Sequence, residues 1–326
     1  MTQTGIVTAT HVRTVPRMLT HRCAVAEVFV TSLDVIEPDT FLVGAQLPRM
    51  HGHYGDHTGP AAQRHDLVAV MEAVRQACIA IAHEFYAVPG DQQFLVRNFN
   101  GTVADSPLWS IGSAPADLVM RARALRKFQR DDQLSGLHLM FDISCDGIPM
   151  GTVDLNYSWV PPWKWDAARN GQRNRMGLGA FQGAGPVGER AAAALVSREI
   201  ARNVVIGPPR TEDGRTHAIL VADTSHPILF DHELDHAPGN LLIEAGRQVA
   251  LAALQPYSRR LIGVTSTFEQ FVELDRPTEC LAELSDSGVD ATVVRCEIRQ
   301  DGVVAARIDL EFSDEATPSG AAGATA

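Results

Sequence analysis

The chain has 326 residues, enough for about two domains with one or two sizeable cores, which excludes a peptide or a stapled mini-protein. Its 28 Lys and Arg against 39 Asp and Glu give a net charge of −11, which argues against broad electrostatic capture of nucleic acid or of an anionic membrane. With 45% hydrophobic and 21% charged residues the composition is that of a folded globular protein, not of a disordered one.

Residues 1–20 read as an N-terminal extension without the apolar stretch of a secretory signal, and no run of 18 apolar residues follows anywhere. The five cysteines (Cys23, Cys78, Cys145, Cys280, Cys296) are scattered, odd in number and free of any C-x-x-C pair, which speaks against a disulfide framework or a thiolate zinc site. The expectation is a cytoplasmic protein without a membrane span.

A first unit, residues 21–160, contains the loop HGHYGDH and then a helix over 66–86 that is apolar on nearly every face, with Asp66 at its cap position. Strands are predicted over 94–103 and 137–144, the latter entering a hairpin at Asp146-Gly147, a dipeptide that suits the positive φ of a tight turn. Between them RARALRKFQR gathers Arg121, Arg123, Arg126, Lys127 and Arg130 at partly period-2 spacing, as on a solvated strand face. Residues 161–200 form a linker, Gly-rich and arginine-bearing, expected to cross the surface as a mobile segment. A second unit, 201–313, has the loop HPILFDHELDH, a helix beginning at Pro238, strands over 261–274 and 291–298, and a second hairpin at Asp301-Gly302. The small, polar residues 314–326 are expected to be disordered.

The two units are copies of one another. Met71-Glu72-Ala73-Val74-Arg75-Gln76 returns as Ile243-Glu244-Ala245-Gly246-Arg247-Gln248, with a histidine-bearing loop upstream and an Asp-Gly hairpin downstream in both places. A helix apolar all round must be wrapped by a sheet, so each unit is expected to be a hotdog. The pair makes an α+β tandem (double) hotdog whose sheets join edge to edge.

Glu, Arg and Gln at i, i+3 and i+4 share one helix face, placing Glu72, Arg75 and Gln76 together in one copy and Glu244, Arg247 and Gln248 in the other. Such charges are costly to bury unless paired or used, so each set is either a structural lock or the lining of an acyl pocket. Seven of the 12 histidines fall in the two loops (His51, His53, His57, His65, His226, His232, His236), where an imidazole near the helical Glu suggests acid/base chemistry. A metal site built on His51, His53, His57 and His65 is the rival reading, disfavoured because the second copy lacks an equivalent cluster. Pro238-Gly239 at the second helix start offers free N–H groups for an oxyanion.

The segments EVFVTSL, FLVGAQLPRMHGHYGDH, MEAVRQA, SWVPPWKW and FDHELDHAPGNLLIEAGRQVA resemble the A-factor biosynthesis (AfsA-type) γ-butyrolactone synthase family, a double-hotdog group, over residues 21–312. The second-half motif also resembles the His loop, Pro-Gly and Glu of 3-hydroxyacyl carrier-protein dehydratases, which would pair His232 with Glu244. The family resemblance implies an acyltransferase that moves a β-ketoacyl group from an acyl carrier protein to dihydroxyacetone phosphate. The ester is then the precursor of a phosphorylated butenolide and of a γ-butyrolactone or related signalling molecule. On this reading Glu244, His232 and Glu72 are the catalytic candidates, with Glu244 or His232 as base. Arg247 is first choice for the acceptor phosphate and Arg75 second. Gln248, Gln76, Gly239, Asn240, His236, Asp235 and His57 complete the substrate-binding set. No metal and no cofactor beyond the carrier's phosphopantetheine are expected, and homodimerisation is left open. A hotdog thioesterase or dehydratase, or a non-catalytic signal-binding hotdog, are the alternatives.

Overall fold

The structure, a computed structural model, describes residues 8–256, 259–285 and 291–313; the expected disordered tail, 314–326, lies outside them. The first central helix, α1 (Leu67–Tyr86), is capped by Asp66, whose side chain accepts from the Val68 amide, and ends at Ala87 in a left-handed conformation. The second, here α3 (Gly239–Ala253), has Pro238 as its cap, one position outside the helix proper. Both bury most of their circumference, as their all-round apolarity requires.

Around α1 run β1 (Val30–Glu37), β2 (Thr40–Leu47), β3 (Gln93–Val103), β4 (Ala116–Arg130), β5 (Gln133–Cys145) and β6 (Ile148–Val160). Around α3 run β7 (Arg210–Glu212), β8 (Arg215–Ile219), β9 (Leu261–Phe268), β10 (Glu279–Leu284), β11 (Ala291–Gln300) and β12 (Val303–Ser313). The order within one sheet, β1-β2-β4-β5-β6-β3-β9-β12-β11-β10-β8-β7, is the same six-strand series written forwards and then backwards. The halves therefore relate by a pseudo-twofold axis at the antiparallel β3–β9 seam, where Asn98, Gly101 and Thr102 face Thr267, Val264 and Gly263. Joining there converts two open edges into one continuous sheet. Asp146-Gly147 and Asp301-Gly302 both carry positive φ at the β5–β6 and β11–β12 turns, and Asp213-Gly214 does the same at β7–β8.

On β4, Arg121, Arg123 and Lys127 project to solvent and pair with Glu37, Asp142 and Asp39. The segment between the halves departs from the expected mobile crossing. It contains a helix, α2 (Pro162–Arg175), whose buried Arg169 and Arg173 clamp the equally buried Glu273 at 2.6 Å each. Gln172 donates to the Phe271 carbonyl and accepts from its amide, so those backbone groups are satisfied off the sheet. The strand expected over 261–274 ends at Phe268 as β9.

Candidate active site

Because the halves face one another through the twofold, the N-terminus of each central helix lies beside the polar face of the other. Glu72 is fully buried and accepts from Arg22 Nε (3.0 Å), Arg75 Nε (2.8 Å), Gln76 Nε2 (2.8 Å) and, from the other half, Asn240 Nδ2 (2.7 Å). Glu244 accepts from Arg198 Nη2 (2.7 Å), Arg247 Nε (2.8 Å) and Gln248 Nε2 (2.5 Å). The two constellations are built alike. Burial alone would raise both carboxyls, but Arg22 with Arg75, and Arg198 with Arg247, outweigh it and hold both ionised below the usual carboxylate range.

Arg22 and Arg198 were not among the residues expected from sequence. Each follows a short 3₁₀ turn (Arg17–Thr20, Ala193–Val196) and a residue with positive φ, His21 or Ser197. The only signal is a weak echo, Leu19-Thr20-His21-Arg22 against Leu195-Val196-Ser197-Arg198. Each segment is then tied across the axis: Asp231 accepts from the amides of Cys23 and Ala24, and Asp56 from those of Glu199 and Ile200.

Gln76 and Gln248 bridge backbone, donating to Glu27 and Asn203 carbonyls and accepting from Phe29 and Val205 amides. Their amides hold the chain itself, which leaves little capacity for the substrate contacts expected of them.

The sets differ six residues upstream of the glutamate, where the first copy has Asp66 and the second Pro238. Asp66 reaches across to Arg247 Nη1, 2.8 Å from both carboxylate oxygens, and accepts from His57 Nε2 at 2.9 Å. Arg198 and Arg247 thus meet Glu244 and Asp66, and the charges balance in a sealed cluster. At the other set two guanidinium groups face one carboxylate, and the neutral Asn240 stands where a second acid would be needed. Within that hydrogen-bonded set positive groups outnumber negative ones, with Asp231 acting on Arg22 from nearby, and the Arg75 side chain is 21% exposed against 4% for Arg247.

A cavity of about 1320 Å³ opens at this second site. Its lining includes Arg22, Arg75, His21 and His232 and the acidic Asp231, Glu233, Asp235 and Glu269, beside the first-turn residues Gly239 and Asn240 and the apolar Ile79, Phe94, Phe99, Leu155 and Phe268. Glu244, Arg247 and His57 do not line it. Of the two arginines expected to serve the acceptor, Arg247 spends its donors on Glu244 and Asp66, and Arg75 meets the cavity. The expected pairing of His232 with Glu244 is not formed either. His232 stands with Arg22 and Arg75 because the twofold carries each loop to the opposite helix, and burial together with these arginines lowers its pKa despite Asp231. Asp235 and His236 line the cavity as a pair (2.7 Å), with Asp235 also held by Arg169 and the His236 ring packed on Trp165 and Phe271. The first-half histidines go to separate partners, His51 to Glu27, His53 to Asn203 and His57 to Asp66, and do not converge as a metal set would.

The sealed cluster makes stability pH-dependent. Asp66 and Glu244 are held below their ordinary values of 3.8 and 4.5, so the unfolded chain takes up these protons first. Their contribution is present above those ordinary values and is lost as pH falls below them. Equilibrium unfolding between pH 6 and pH 3 should show a declining denaturant midpoint, and a flat profile would refute the assignment.

Two hotdogs fused through β3 and β9, with a cavity lined both by apolar side chains and by the arginines Arg22 and Arg75, define a tandem-hotdog protein. The chain belongs to the A-factor biosynthesis hotdog domain family, whose model matches residues 6–161 and 182–313. It is 32% identical over 272 residues to the 2-oxo-3-(phosphooxy)propyl 3-oxoalkanoate synthase of Streptomyces virginiae, covering 83% of this chain and 87% of that one. To the synthase of the same name from Streptomyces coelicolor it is 28% identical, covering 88% of each. A protein of hot dog fold from Alicyclobacillus acidocaldarius superimposes with a TM-score of 0.50 at 13% identity, covering 90% of this chain and 98% of the other; that likeness is of fold alone.

Proposed function

We propose that the chain joins a 3-oxoacyl group, delivered as a carrier-protein thioester, to the hydroxyl of dihydroxyacetone phosphate, giving the ester named in its relatives and so the precursor of a butenolide-type signalling molecule. The observation that carries this reading is that two guanidinium groups, Arg22 and Arg75, share the single carboxylate of Glu72 where they meet a cavity with an extensive apolar lining. A 3-oxoacyl chain suits the apolar wall, and a phosphate suits a guanidinium fork. Arg75 takes the phosphate, while Arg22 and Glu72 fix its position. Pro238 provides no side-chain cap, so the first-turn N–H groups of α3 at Gly239 and Asn240 are available to a developing oxyanion. Glu72 acts as anchor and not as base, because its ion-paired carboxylate is held ionised and weakly basic. The proton acceptor is accordingly an imidazole of the cavity. Water is the competing nucleophile, as in a thioesterase.

Mass spectrometry of the protein with a 3-oxoacyl carrier-protein thioester, with and without dihydroxyacetone phosphate, tests the proposal. A phosphorylated ester or butenolide that appears only with the acceptor is expected. Free acid released regardless of acceptor would make the protein a thioesterase, and no turnover would make it a binding module.

A further inference from the structure

The cavity wall carries a histidine that no sequence motif marks. His21 closes the 3₁₀ turn Arg17–Thr20 with φ of 52° and directly precedes Arg22. Its ring packs edge-on to Phe94 (5.2 Å) and against His83 (5.0 Å), in the last turn of α1. Its Nε2 lies 2.9 Å from Nε2 of His83, whose Nδ1 lies 2.7 Å from the Val88 carbonyl oxygen. A carbonyl only accepts, so Nδ1 of His83 bears the hydrogen. With both rings neutral, His83 Nε2 is then the acceptor and His21 Nε2 the donor. The lone pair of His21 is thereby fixed on Nδ1, which no hydrogen bond among the described residues engages, on a ring that lines the cavity.

We infer that His21 is a catalytic residue of this site, its Nδ1 receiving the proton of the acceptor hydroxyl as that oxygen attacks the thioester carbonyl, with His83 and the Val88 carbonyl as positioning groups that set its tautomer. The inference rests on the acyl-transfer reading. In the step the O–H bond breaks and the new C–O bond forms. The oxyanion then collapses with cleavage of C–S, and the proton on His21 passes to the departing sulfur, which leaves as the thiol. Both rings end neutral.

Two other imidazoles line the cavity. His236 is engaged at Nδ1 by Asp235 (2.7 Å) and its ring is packed against Trp165 and Phe271. His232 is the most exposed of the three, lies with Cys23 and Asp231, and has no hydrogen bond among the described residues that fixes one tautomer. The groups facing His21 are His83 and Arg75 from α1, and His232 from the loop before α3; burial, then these charges, lower its pKa to about 4. A phosphate dianion seated on Arg75 opposes the Arg75 contribution and adds negative charge beside the ring, which raises its basicity when the acceptor is bound.

The test is steady-state kinetics of acceptor-dependent ester formation in the full-length protein. His21→Asn keeps a residue that tolerates positive φ and should lower kcat about 100-fold or more, the ordinary worth of a general base, with the acceptor KM within twofold and the melting temperature nearly unchanged. The acid limb of the wild-type kcat–pH profile should disappear in this variant. His83→Phe, which removes the acceptor that sets the tautomer, should lower kcat by a smaller factor, again without a change in KM. A His21→Asn protein with wild-type kcat, or abolition of turnover by His232→Gln or His236→Gln but not by His21→Asn, would overturn the assignment while leaving acyl transfer intact. Absence of any acceptor-dependent ester from the wild-type protein would instead remove the acyl-transfer reading, and this inference with it.

Discussion

Replacing Glu244 with glutamine should cost the protein about 3–5 kcal/mol of stability, the usual penalty for leaving a buried charge without its partner. The side chain is completely inaccessible, and its carboxylate is one of two negative charges that neutralise Arg198 and Arg247. Glutamine preserves shape and removes only charge, so Asp66 is left to balance two guanidinium groups. Urea denaturation followed by circular dichroism measures the loss directly. If the variant unfolded at the wild-type midpoint yet lost turnover, the sealed cluster would be catalytic and the roles given to the two halves would have to be exchanged.

Arg75→Met should do the reverse. Arg75 is partly exposed to the cavity, and Glu72 retains Arg22, Gln76 and Asn240 when it is removed, so stability should change by less than about 1 kcal/mol. Losing a forked guanidinium–phosphate contact, worth about 3 kcal/mol when two charge-assisted hydrogen bonds are counted, should raise the acceptor KM about 100-fold. The KM for the carrier thioester should stay near its wild-type value. Comparable weakening of both substrates would place Arg75 at the acyl end of the cavity instead.

Much of this was legible in the sequence. The repeated Glu-Ala-x-Arg-Gln, the uniformly apolar helices and the Asp-Gly turns are local patterns, and local patterns survive translation into structure. The family and its tandem hotdog follow from them. What stayed hidden depends on contacts across the twofold. Asp66 and Pro238 can both be read six residues before their glutamates, but their meaning lies in which half's arginine they meet. Hence the second helix, with its intact Glu244 and Arg247, reads as the better candidate from sequence alone, whereas in the fold Asp66 occupies Arg247. Arg22 and Arg198 lie just after single-turn 3₁₀ segments, too short to generate a periodic signal. The linker's glycines similarly masked Arg169 and Arg173, whose partners lie about a hundred residues further along the chain.

The seam between β3 and β9 has a genetic consequence as well as a mechanical one. In a hotdog assembled from two identical chains, every substitution is made twice, and a residue that seals one crevice seals its mirror image. Covalent fusion releases that constraint: one copy of the motif can harden into a strut while the other drifts toward a substrate. Selection on the strut then acts through folding yield, and selection on the open pocket through product. Variation around Glu244 should therefore be limited by what can fold, and variation around Arg75 by what can be bound, although both descend from the same ancestral helix.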